Sequence, residues 1–113
     1  MKTSAGLKFN NYIGSIHIRN MLRNTILEPE IKNININGQT RGCSGFILNP
    51  ETGKYCYITT EPFFDYGEGN GLFGNPRNAV MMRTAKSNRD YTGGRNQWLP
   101  VEDIVETAMR LTS

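Results

Sequence analysis

The dipeptide Asn37-Gly38, set between the alternating run Ile34-Asn35-Ile36 and a second strand-like stretch from Thr40 to Leu48, most narrows how this chain can fold. A two-residue hairpin loop of the type that matches strand twist needs positive φ at both central positions, and Asn followed by Gly supplies this at least strain. An antiparallel hairpin is therefore expected here. Gly42 and Gly45 inside the second strand point to a bulge or a close backbone approach. The turn residues Asn49-Pro50-Glu51-Thr52-Gly53-Lys54 then lead into a third strand, Tyr55 to Thr60. The centre of the chain reads as an antiparallel meander.

Helical spacing flanks this meander. Residues 1–14, with Gly6, Gly14 and Asn10-Asn11, have no usable period and read as a loop or short strand. From Ser15, an N-cap candidate, Ile18, Met21, Leu22 and Ile26 mark an amphipathic helix of about three turns that Pro29 stops. Arg19 and Arg23 lie at i and i+4 on its other side, spaced to act together on one anion. Residues 65–78 form a loop carrying Gly67, Gly69, Gly71 and Gly74, and Ala79 to Ala85 reads as a strand buried at Val80 and Met82 or at Met81. Lys86 to Gln97 is a second polar loop. Pro100 sits at a helix N1 position, Glu102 and Asp103 suit the positive end of the dipole, and Val101, Ile104, Val105, Ala108 and Met109 form a stripe. The expected fold class is α+β, a small antiparallel meander sheet of three or four strands with an N-terminal and a C-terminal helix.

The 113 residues make one domain, 1–113, the natural size for a single core. A chain this short encloses no deep tunnel, so a sizeable pocket belongs at the surface or between subunits. Cys43 and Cys56 cannot build a disulfide scaffold, and with His17 as the one imidazole no zinc spacing exists. The two cysteines read as small buried hydrophobes that can face each other across a hairpin. Apolar runs stop at three or four residues, as in Ala79 to Met82, which excludes a membrane span or signal-peptide core. A cytoplasmic protein with reduced thiols and no cofactor is expected.

The formal charge is +3, too weak to indicate DNA binding, but it is unevenly placed. Arg77, Arg83, Lys86, Arg89 and Arg95 face a single acid, Asp90, so residues 77–95 hold +4 and the rest of the chain −1. Eight of the 13 cations are Arg and the chain has 13 Asn, planar multi-donor groups suited to phosphate oxygens and base edges. Two Gly-rich loops flank the strand that carries Arg83, so backbone N–H groups and guanidinium forks can surround a phosphate or pyrophosphate. Asn88, Tyr91 and Asn96 add amides and an aromatic ring. A solvated basic loop is the competing explanation.

Other motifs carry less. Gly69-Asn70-Gly71-Leu72-Phe73-Gly74 matches G-x-G-x-x-G, but Pro76 follows and no helix opens, so a dinucleotide-binding turn is excluded on context. What remains is a loop with Phe73 between glycines, after Phe63, Phe64 and Tyr66, rings that either stack on a base or anchor the loop in the core. No Ser, His and acid grouping is present, and Glu61 with Asp65 reads as a metal-ligand pair or a solvated edge. Binding without turnover fits these residues better than catalysis. A small phosphodiesterase using His17 or Glu61 as base, and an inhibitor of a nucleic-acid-guided defence complex, are the alternatives.

Three strings, Arg41-Gly42-Cys43-Ser44-Gly45-Phe46-Ile47, the hairpin Asn49 through Phe64, and Met82-Arg83-Thr84-Ala85-Lys86 through Asp90-Tyr91-Thr92-Gly93-Gly94, resemble the phage-encoded Thoeris anti-defence family, type one. The resemblance covers most of the chain and rests on its overall pattern. It implies a non-catalytic sponge that sequesters the cyclic ADP-ribose isomer made by bacterial immune TIR enzymes, keeping the Thoeris effector inactive in the infected host. It also implies homodimers, able to assemble into hexamers, with pockets at subunit contacts. An aromatic and an asparagine in the signal pocket correspond to Phe73 and one of Asn75, Asn88 or Asn96. Together with the basic loops, the ligand set is Phe73, Asn75, Arg77, Arg83, Asn88, Arg89, Asp90, Tyr91 and Asn96. Hexameric relatives use an Arg pair on the first helix for larger cyclic oligonucleotides, matched here by Arg19 and Arg23.

Overall fold

A computed structural model describes residues 13–60, 79–90 and 94–113. Helix α1 (Ser15–Leu22) precedes strands β1 (Glu28–Ile36), β2 (Gln39–Asn49), β3 (Lys54–Thr59), β4 (Ala79–Ala85) and β5 (Gln97–Pro100). A 3-10 turn, Val101–Asp103, then runs into helix α2 (Ile104–Leu111). The strands form one antiparallel sheet in the order β1-β2-β3-β4-β5, every neighbour consecutive in the chain. The fold is thus the α+β meander with a helix at either end. Among the described residues no helix is long and apolar enough to cross a membrane.

The hairpin forms as its residues dictate. Asn37 and Gly38 both have positive φ, 54° and 78°, closing the Ile36↔Gln39 pair. The register then jumps from Asn35↔Thr40 to Ile34↔Gly42, leaving Arg41 as the extra residue of a bulge beside Gly42, whose φ is 142°. Gly45 serves the close approach. It lies opposite Ile31, and an added Cβ would meet the Glu30 carbonyl oxygen and come within 2.6 Å of the Ile31 Cα.

Strand side chains alternate between faces, and the two faces have different fates. Ile31, Cys43, Ile47, Cys56, Ile58, Val80 and Met82 meet Ile18 and Leu22 of α1 and Ile104 and Ala108 of α2 in the main core. On the opposite face Tyr57 and Met81 pack with Phe46 and Ala85 in a separate, smaller cluster. In β4, therefore, Val80 and Met82 are buried on one side and Met81 on the other.

Several sequence expectations are corrected. Helix α1 has eight residues, about two turns, and its N-cap position is Gly14, not Ser15. No side chain of the helix caps it; instead Asn33 of β1 accepts the Ser15 N–H through Oδ1 at 2.7 Å. The helix ends at Leu22, whose carbonyl accepts from Thr25 Oγ1 at 2.8 Å, so Ile26 leaves the stripe and is 38% exposed. Pro29 does not stop a helix but lies within β1, a sheet edge, where a missing N–H is tolerated. Strand β5 was not expected: it starts at Gln97, where the polar loop was read to end, and four residues with Trp98 46% exposed offer no strand period. Pro100 ends that strand and caps the 3-10 turn, one step before the N1 position expected of it.

Met109, placed in the helical stripe, is 38% exposed, and Thr107 and Thr112 are buried in its stead. Thr112 belongs to a polar clamp that holds the end of the chain. Its hydroxyl donates to the Ala108 carbonyl at 2.6 Å, its carbonyl accepts from Thr52 Oγ1 at 2.6 Å, and the Asn49 amide donates to its hydroxyl at 3.3 Å. Cys43 and Cys56 do not face each other: Cys56 lies opposite Ile47, and Cys43 lies opposite Asn33. Both are buried free thiols, pushed up from an ordinary 9.0 to about 12 by burial.

Two outcomes follow from this packing. Gly45→Ala lowers stability by about 1–3 kcal/mol, read as a shift of the urea midpoint, because the backbone on both sides of the new methyl is held by the sheet. The thiols bind protons more tightly folded than unfolded, so their contribution is fully present below pH 9 and is lost as pH rises toward about 12. Urea midpoints measured across that window fall with pH, and the fall is shallower in Cys43→Ala/Cys56→Ala.

Candidate functional site

The site is built on the sheet face that the helices leave uncovered. Cross-strand register puts Glu30, Phe46, Tyr57 and Arg83 in one row over β1, β2, β3 and β4. The Phe46 and Tyr57 rings are 5.3 Å apart, tilted by 56°. Arg83 places its guanidinium carbon 5.7 Å from the Tyr57 ring centre and donates from Nη1 to Asn96 Oδ1 at 3.1 Å. A cation over a ring face is held by the ring quadrupole, so Arg83 and Tyr57 fix each other.

Beyond β4 the chain turns back over this row. The Lys86 N–H donates to the Asp90 carbonyl at 3.0 Å, and the Arg89 N–H donates to Ser87 Oγ at 3.1 Å. At the tip of the turn, Asn88 Nδ2 donates to Glu30 Oε1 at 3.2 Å. Two strands separate β4 from β1, about 14 Å at ordinary strand spacing, so the tether carries the turn across β2 and β3. Gly94 comes against Thr84 from the same connection, where an added Cβ would meet the Thr84 hydroxyl.

The space beneath is a groove of about 730 Å³. Phe46 and Tyr57 line it together with Glu30 and Lys32 of β1, and Asn88 and Arg89 of the returning turn. Arg19 completes it from α1, donating from Nη2 to the Ile31 carbonyl at 2.7 Å. Three cations therefore surround one carboxylate and two rings. The volume is that of a small-molecule site, and the chemistry suits a ligand with a flat ring and one or more phosphates.

The groove brings together part of the residue set expected from the sequence. Arg19, Asn88 and Arg89 come together in the groove, although they were assigned to two different sites. Arg83 and Asn96 bond to each other behind Tyr57, and Asp90 closes the turn through its backbone. Arg23 is not among the groove residues; its guanidinium donates to Asn20 Oδ1 at 3.0 Å. The i, i+4 pair thus does not converge on one point. Phe73, Asn75, Arg77 and Tyr91 lie outside the described residues, as do Glu61, Phe63, Phe64, Asp65, Tyr66 and the glycine motif at 69–74. His17 is exposed, and among the described residues no group of three His, Cys, Asp or Glu side chains is placed to hold a metal ion.

Glu30, Lys32, Ser44, Phe46 and Tyr57 were not foreseen as site residues. Their signal was nevertheless present. Each of the two rings precedes or follows a core position by one, Phe46 before Ile47 and Tyr57 between Cys56 and Ile58, which sends it to the second face.

No protein-family model matches the chain, and no curated protein or solved structure matches it either.

Asn88→Ala removes the tether to Glu30 without touching the core. Amide exchange at Ser87–Asp90 accelerates, while the global unfolding free energy stays within about 0.5 kcal/mol, since the residue is exposed.

Proposed function

We propose that the protein is a phage anti-defence protein that binds a cyclic ADP-ribose-type immune signal and holds it uncleaved, blocking activation of the Thoeris effector. The observation that carries this reading is the groove, which joins two aromatic rings to three cations in a volume of about 730 Å³. Each part answers a part of such a ligand. Adenine stacks on the half-buried Phe46 ring, worth about 1–3 kcal/mol for one base. The pyrophosphate lies between Arg89, Lys32 and Arg19, where guanidinium forks match paired oxygens. Asn88 supplies an amide for a ribose hydroxyl or a base edge.

A sponge acts by mass action and needs affinity near the nanomolar range, about 12 kcal/mol. A groove floored by a sheet and walled by a tethered turn favours this, because less of the site must be ordered when the ligand arrives. On this reading the protein works in the cytoplasm of the infected host as a homodimer or as a hexamer assembled from such dimers. Phe73, Asn75, Arg77 and Tyr91, outside the described residues, stay candidate contacts of the same ligand. Neither a membrane nor DNA is a partner.

The test is a release assay. Protein is mixed with the cyclic ADP-ribose isomer, freed of unbound ligand, and heat-denatured, and the supernatant returns the ligand intact. Arg89→Ala and Lys32→Ala each weaken retention about tenfold in calorimetry. Recovery of a linear product instead would establish a phosphodiesterase. Absence of retention, together with a stable protein partner drawn from a defended host, would replace the sponge by an inhibitor of a defence complex.

A further inference from the structure

Among the described residues Glu30 is the one acid in a groove lined by Arg19, Lys32 and Arg89. For a site that only collects anions this carboxylate is misplaced, since it repels phosphate at close range. It is also not spent on those cations by any short contact; the bond it makes in the groove is with the Asn88 amide, at 3.2 Å from Oε1. That bond uses one lone pair of one oxygen, and an ionised carboxylate offers about four such sites. The tether holds the side chain over the sheet, at the end of the row through Phe46 and Tyr57. An acceptor-only group fixed beside stacking rings and cations matches the donor that accompanies a base and a phosphate in a nucleotide, the sugar hydroxyl. Vicinal ribose hydroxyls are read by an acidic side chain in the same way at other nucleotide sites.

We infer that Glu30, positioned by Asn88, is the hydroxyl reader of this groove and selects ligands that keep a free ribose diol over deoxy-sugars and over bare phosphates. The inference rests on the nucleotide-binding reading above and sharpens its ligand class. Asn88 acts here as a positioning residue through the carboxylate it holds. Electrostatics and hydrogen bonding make opposite predictions for Glu30→Gln, which is what makes the assignment testable. Loss of a negative charge beside three cations tightens binding of any anion. Loss of the charged acceptor weakens binding of a diol.

Calorimetry with cyclic ADP-ribose, its analogue lacking one ribose hydroxyl, and inorganic pyrophosphate separates the two. The wild-type protein prefers cyclic ADP-ribose to the deoxy analogue by about tenfold, the value of one charge-assisted hydrogen bond. Glu30→Gln weakens cyclic ADP-ribose by about the same factor, erases the preference, and tightens pyrophosphate severalfold. Asn88→Ala loses part of the preference with an unchanged melting temperature. A Glu30→Gln protein that binds cyclic ADP-ribose more tightly, or that keeps the wild-type preference, overturns the assignment while leaving the groove a nucleotide site. Wild-type protein that binds neither nucleotide overturns both readings.

Discussion

Two short helices cover one face of a sheet, and this sheet has five strands among the described residues. That geometric constraint shapes everything else. Every residue of odd parity to the main core points away from the helices and needs another fate, since apolar surface left in water weakens the fold. The chain meets it with Phe46, Tyr57, Met81 and Ala85 as a second cluster and brings the Lys86–Asp90 turn back across it. The groove is the gap that this arrangement leaves. A groove thus emerges from the need to finish the second face, and the charged groups are added at its margin.

The main core and the polar clamp at the C-terminus do a different job. Val101, Ile104 and Ala108 bind α2 to the sheet, and Asn49, Thr52 and Thr112 lock its last turn to the β2–β3 connection. All of these polar groups are hydrogen-bonded, which is the condition under which buried polar atoms do not weaken a fold. The helix is thereby kept on its face with few apolar residues. The opposite face remains independent of it.

Legibility in the sequence followed the range of the forces involved. The Asn37-Gly38 hairpin, the β2–β3 turn and the limits of β4 were readable because local backbone preference decides them. The N-terminus of α1 was not, because its cap comes from Asn33, 18 residues away. Strand β5 was hidden for a similar reason: its pairing with β4 holds a four-residue segment too short to show a strand period of its own. At the candidate site, Arg19, Asn88 and Arg89 were singled out in the sequence by residue type, yet the fold decided that they share one groove. Glu30 and Lys32 lie outside the Ile34–Ile36 alternation that marks the strand in the sequence, and only register places them beside Phe46 and Ser44.

Among the described residues strand β1 is an edge of the sheet, and its outward-facing backbone groups are those of Pro29, Ile31 and Asn33, because Ile31 turns its carbonyl toward Arg19 and parity does the rest. Proline has no N–H to offer there, and the Ile31 carbonyl is already taken at 2.7 Å. The stretch that would template another strand is therefore stripped of a donor and an acceptor in succession. An edge so altered is a poor template for strand addition by a second copy, and it lies at the border where the groove opens.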